Sequence, residues 1–165
     1  MKKTHLILVG LLLSFTLNAA NDIPRPEYPR PQFERSEWIN LNGQWTYEFD
    51  FSNSGKSRRL TRAKQFSNTI SVPFCPESKL SGVEYTDFIN QMWYQRKISI
   101  PTDWKGKKIL LHFGAVDYQA EVFIDGQFIG RHIGGSSSFC MDLTRFAKAG
   151  NTHNLIVYVK DEQRS

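Results

Sequence analysis

The stretch FGAVDYQAEVFIDGQFIGRHIGGSSSF, residues 113–139, decides how the rest of the chain is read. Ala120, Val122 and Ile124 alternate with Glu121 and Phe123, the period of two that suits a strand with one buried face. Asp125-Gly126 follows, and this pair accepts the positive φ angles of a two-residue hairpin turn. Residues 127–133, QFIGRHI, read as the return strand, with Gly130 relieving crowding along it. Gly134 and Gly135 then permit a bend away from the sheet into Ser136, Ser137 and Ser138. A hairpin that runs into a histidine, two glycines and three serines puts the surrounding chain in an antiparallel setting.

Working outward, the same punctuation recurs. Trp45, Tyr47, Phe49 and Phe51 alternate with Gln44, Thr46, Glu48 and Asp50, which predicts a half-buried strand whose polar face is wet. Residues 69–72 read as a short strand stopped by Pro73 and Pro76, and a long loop carrying Gly82 leads on to about Gln91. Residues 93–101 form a strand closed by Pro101, and residues 107–116 hold a short apolar one. Residues 141–154 read as a turn region with one helical turn, which Asp142 is placed to cap. A final strand occupies residues 155–161. About seven short strands and almost no helix predict an all-β fold, two antiparallel sheets packed face to face as a jelly-roll β-sandwich.

The two ends of the chain read differently from its middle. Lys2 and Lys3, an apolar run from Leu6 to Leu17, and Asn18-Ala19-Ala20 predict a secretory signal peptide over residues 1–20. The run is short for a membrane span, so a secreted or periplasmic protein with no membrane anchor after cleavage is expected. Residues 21–35 form an extended lead-in, with Pro24, Pro26, Pro29 and Pro31 forbidding both helix and ladder.

The formal net charge is +5, of which +3 remains once Lys2 and Lys3 are set aside. Lys56, Arg58, Arg59, Arg62 and Lys64 crowd into residues 54–64 without helical period or aromatic interleaving. That pattern predicts a solvated loop and no nucleic-acid partner. Cys75 and Cys140 are permitted to pair in an exported chain, but a core of this size needs no staple, and two buried thiols are the simpler expectation. The histidines and cysteines show no metal-ligand spacing, so neither metal nor cofactor is expected.

Four segments, taken in order, carry a resemblance: LNGQW at 41–45, VPFCPES at 72–78, WYQRKISIP at 93–101 and AVDYQAEVFIDGQFIGRHIGG at 115–135. Together they resemble the N-terminal sugar-binding domain of glycoside hydrolase family 2, which includes β-galactosidases, β-glucuronidases and β-mannosidases. The resemblance covers about residues 36–160 and implies a galactose-binding-like jelly roll over 36–165, incomplete at its C-terminal end and short of its last strand. It also implies partners beyond that end, an immunoglobulin-like domain and a catalytic TIM barrel, and a β-glycoside as the carbohydrate ligand.

Retaining glycosidases need two carboxyl groups about 5 Å apart. In the family the acid/base glutamate follows an asparagine, and no glutamate of this chain does so. The chain is therefore expected to hold no catalytic residue and to be the non-catalytic part of a secreted β-glycosidase. Ser/His/Asp hydrolysis is not supported either, because no Gly-x-Ser-x-Gly elbow occurs.

The resemblance assigns the tail of the hairpin a second role besides leaving the sheet. Asp117, His132, Gly134 and Gly135 fall on family positions whose loops wall the substrate pocket. An aspartate there accepts hydrogen bonds from hydroxyls, and glycines admit close backbone approach. Trp93, with Tyr94 and Tyr85 near it, is either a platform for a pyranose ring or a core residue at a strand start. Two alternatives to the glycosidase assignment stand, a stand-alone secreted carbohydrate-binding module and a structural interaction domain.

Overall fold

The computed structural model describes residues 23–28 and 35–161. The signal peptide expected at 1–20 and much of the proline-rich lead-in lie outside these residues. The described residues form eight strands: β1 (Gly43–Phe49), β2 (Asn68–Val72), β3 (Gln91–Ser99), β4 (Leu110–Phe113), β5 (Gln119–Ile124), β6 (Gln127–Ile133), β7 (Phe139–Asp142) and β8 (Thr152–Lys160). Six make one antiparallel sheet in the order β2-β1-β3-β8-β5-β6, and β4 pairs with β7 in a second. The all-β sandwich expected from the sequence is the observed architecture.

One strand was not expected. β7 falls where a serine run meets a turn, and four residues are too few to show a period. Its partner defines it instead, through the pairs Phe113–Phe139 and Leu111–Met141. Asp142 does cap, accepting from the Thr144 N–H at 3.0 Å and the Thr144 hydroxyl at 2.6 Å, but it closes a turn and not a helix.

The main core lies between the sheets. Trp45, Tyr47, Met92, Ile98, Val122, Ile124, Leu155 and Val157 project from one face of the large sheet and pack with Leu111, Leu143 and Ala147 from the opposite side. The outer face of the large sheet carries the polar side of β1, expected to be wet; Gln44 there is exposed, but Thr46 and Glu48 are half-buried and Asp50 is buried. Residues 50–66 fold over that face as a strap, and its Leu60 and Phe66 bury Trp93, Phe123, Ile156 and Tyr158 in a second apolar cluster.

Polar groups on this outer face are consequently buried and paired. Asp50 is 2% exposed and accepts from the Ser54 and Gly55 N–H groups, each at 2.8 Å, and from the Trp93 indole N–H at 3.0 Å. Burial alone would push the Asp50 carboxyl up, yet these donors and the Arg58 guanidinium hold it below the usual carboxylate range. Gly55 is required here, because a β-carbon would stand 2.4 Å from Trp93 Nε1.

The basic run fastens the strap. Lys56 lies 2.8 Å from Glu121 and sits over the Tyr158 ring, while Arg58 pairs with Glu48. Glu121, at 8% exposure, is thus a covered partner and not a solvated strand residue. Arg59, Arg62 and Lys64 are the solvated part of the run.

The hairpin is as expected, with φ of 50° at Asp125 and 79° at Gly126 between the paired Ile124 and Gln127. Asp125 also does what its turn role does not predict. Its carboxylate accepts the Asn154 N–H at 2.8 Å and the His153 Nδ1–H at 2.6 Å, while His153 Nε2 accepts the Lys148 N–H at 2.8 Å. One imidazole tautomer thereby joins the hairpin, the start of β8 and the turn before it. Gly130 lies where β6 passes β7, with a would-be β-carbon 2.8 Å from Met141 Sδ. Cys75 and Cys140 are free thiols, and both are exposed, not buried.

Candidate functional site

Register across the large sheet brings its functional candidates to one end. Phe49 pairs with Met92, Met92 with Val159, Val159 with Ala120, and Ala120 with His132. These five residues form a single row on the inner face, next to the rim where β1, β8 and β6 finish and β3 and β5 begin. Asp117 lies in the loop that enters β5 at this rim, and Gly134 and Gly135 lie just beyond β6.

Three of the elements meet at a corner there. The Gly134 N–H donates to the Tyr118 carbonyl at 2.9 Å, which ties the tail of β6 to the start of β5. Gly134 has φ of 132°, a conformation that favours glycine. Gly135 lies directly against Asp117: a β-carbon there would sit 2.1 Å from Asp117 Oδ1. The His132 ring stacks on Phe139 with centroids 4.1 Å apart and planes 12° apart, and Phe139 stacks in turn on Phe113 at 4.6 Å. Ser137 Oγ lies 3.3 Å from His132 Nε2.

Asp117, His132, Gly134 and Gly135 are therefore neighbours, gathered from one strand and two loops. Asp117 is exposed and His132 half-buried, its ring plane fixed by the phenyl beneath it. The corner presents a carboxylate, which as an anion only accepts hydrogen bonds, and an imidazole nitrogen at its side. Such groups suit a ligand rich in hydroxyl donors. Phe113, Phe139 and Ser137 escaped sequence reasoning. Phe139 follows the three serines, and only the β4–β7 pairing shows that it turns back beneath His132.

Trp93 does not join this corner. Its side chain projects to the outer face, is 0% exposed under the strap and spends its N–H on Asp50. An indole with no free face cannot stack a sugar, so the core alternative holds and the platform is withdrawn. Tyr94 is on the inner face and half-buried, with burial and then the neighbouring Glu77 pushing its phenol well up. Tyr85 does reach an aromatic cluster, with its centroid 4.9 Å from Phe49 and 5.9 Å from Phe51. Among the described residues no three His, Cys, Asp or Glu side chains gather as metal ligands, and no helix is long and apolar enough to cross a membrane.

An antiparallel sandwich with a polar corner at one end, where loops from both sheets converge, defines a galactose-binding-like domain. The chain belongs to glycosyl hydrolases family 2, through the family's sugar-binding domain, whose model matches residues 38–164. It is 38% identical over 135 residues to a β-galactosidase of Thermoanaerobacter pseudethanolicus, covering 77% of this chain. It is 29% identical over 120 residues to a β-glucuronidase of Bacteroides fragilis, covering 72% of this chain.

Among solved structures, the crystal structure of Ruminococcus gnavus β-glucuronidase superposes with a TM-score of 0.68 at 25% identity, over 76% of this chain. The chain spans 16% of the length of each of the first two relatives and 22% of the R. gnavus chain.

Proposed function

We propose that this chain is the non-catalytic sugar-binding part of a secreted β-glycosidase, with Asp117 and His132 lining the saccharide pocket. The hydrolytic carboxylates belong to another part of the protein, a TIM barrel against which this domain and an immunoglobulin-like domain pack. The observation that carries the reading is the corner itself, in which an exposed carboxylate rests on glycine backbone beside an imidazole braced by Phe139. Family membership supports a β-glycoside as the ligand, and the relatives named β-galactosidase and β-glucuronidase make a galactoside and a glucuronide the two ligands to try first. Secretion rests on Lys2, Lys3, the apolar run from Leu6 to Leu17 and Asn18-Ala19-Ala20.

Calorimetric titration of the 165-residue chain with methyl β-galactoside and methyl β-glucuronide tests the corner. One of them binds at millimolar concentration, and Asp117→Ala weakens it about tenfold, the worth of one hydrogen bond to a charged group. No heat from either sugar would overturn the assignment. Release of nitrophenol from a nitrophenyl β-galactoside or β-glucuronide by the purified chain would overturn its non-catalytic part.

A further inference from the structure

We propose that the saccharide held at the Asp117 corner continues along the rim to an aromatic wall formed by Phe51 and Tyr85, so that the chain accommodates an oligosaccharide of about three units. This rests on the corner being the sugar site.

The inner-face row of Phe49, Met92, Val159, Ala120 and His132 has a successor one step nearer the rim. Extending the same registers by two residues gives Phe51, Asn90, Asp161, Tyr118 and Gly134. Backbone bonds from Asp50 to Gln91, Asp161 to Asn90 and Gly134 to Tyr118 carry the ladder out to this row. Asp117 stands at one end of it and Phe51 at the other. Between them lie the three strand spacings from β1 through β3 and β8 to β5, roughly 14 Å, a length that about three linked pyranose rings cover.

The wall is built to hold its shape. Phe51 is 52% exposed, and Phe49 supports both outer rings from below, with centroids 5.2 Å from Phe51 and 4.9 Å from Tyr85. Phe49 itself leans on the buried Tyr47 at 5.0 Å. Between the wall and the corner, Asp161 makes no ion pair among the described residues, whereas Asn90 Oδ1 is closed to solvent and offers no contact.

Ring faces and acceptor-only carboxylates therefore share one rim. An apolar protein surface laid over it would leave Asp117 and Asp161 buried without donors, at a cost of several kcal/mol. A chain of sugars supplies C–H faces to the rings and hydroxyl donors to the carboxylates, and satisfies both.

The test compares single sugars with longer ones on the 165-residue chain by calorimetry: methyl β-galactoside against β-1,4-galactotriose, and methyl β-glucuronide against a trisaccharide ending in β-glucuronate. The trisaccharide of the recognised sugar binds at least tenfold more tightly. Phe51→Ala, at an exposed position, removes that gain and leaves the methyl glycoside unchanged, and Tyr85→Ala does the same. Asp117→Ala weakens both ligands. Equal affinity for the short and long ligands, or a gain that survives both aromatic substitutions, overturns the wall while leaving the corner standing. Absence of binding by all four sugars fails the corner and the wall together.

Discussion

The carboxylate of Asp117 occupies the space in which any residue other than glycine at 135 would place its β-carbon. Gly135→Ala must therefore displace Asp117, and since Asp117 is exposed, it can swing outward without disturbing the core. The expected outcome is a near-normal thermal midpoint with sugar affinity reduced as far as in Asp117→Ala, read by calorimetry beside a thermal melt. Trp93 should behave in the opposite sense. Trp93→Phe keeps an aromatic ring under the strap but deprives Asp50 of one of its donors. Denaturant titration should show a loss of about 1–2 kcal/mol, with methyl glycoside binding unaltered. Reduced sugar affinity in a folded Trp93→Phe protein would restore the tryptophan to the site.

Among the elements, the strap over residues 50–66 shows where local pattern gives way to tertiary structure. The alternation in β1 and β5 gave the strands and their inner faces correctly, because a core between two sheets imposes a period of two. The Asp-Gly turn was legible for the same local reason. Alternation cannot report whether a later loop folds back over the polar face, so Asp50 and Glu121 looked wet and Trp93 looked available. At the candidate corner, the family motifs placed Asp117, His132, Gly134 and Gly135, but not the Phe139 brace, which depends on a pairing 26 positions back along the chain with Phe113. The bond from His153 to Asp125 likewise joins residues 28 apart. For the strap, Gly55→Ala forces a methyl group into the Trp93 indole and the Asp50 carboxylate. A cost of about 2 kcal/mol is expected, with amide exchange accelerated in residues 54–66 before the sheet. Exchange rates unchanged in that segment would show that the strap is not held through Gly55.

At the scale of the whole molecule, Asp50 and Asp125 make stability depend on pH. For each, burial works against the charged form, but donated hydrogen bonds and nearby cations win and hold the carboxyl below its usual range. The folded state thus binds fewer protons than the unfolded chain, whose aspartates titrate at about 3.9. Their contribution is complete above that value and is lost as pH falls through the folded pKa values. Denaturation followed from pH 6 down to pH 2 should steepen below about pH 4, and the slope should flatten in Asp50→Asn, which is less stable at neutral pH. The order β2-β1-β3-β8-β5-β6 carries one more consequence. β8, which follows both β3 and β5 along the chain, is an interior strand with the two halves of the sheet on either side. Until the ribosome has delivered residues 152–160, β3 and β5 have no edge to share, so the nascent polypeptide stays open and sheet closure waits for translation to pass this point.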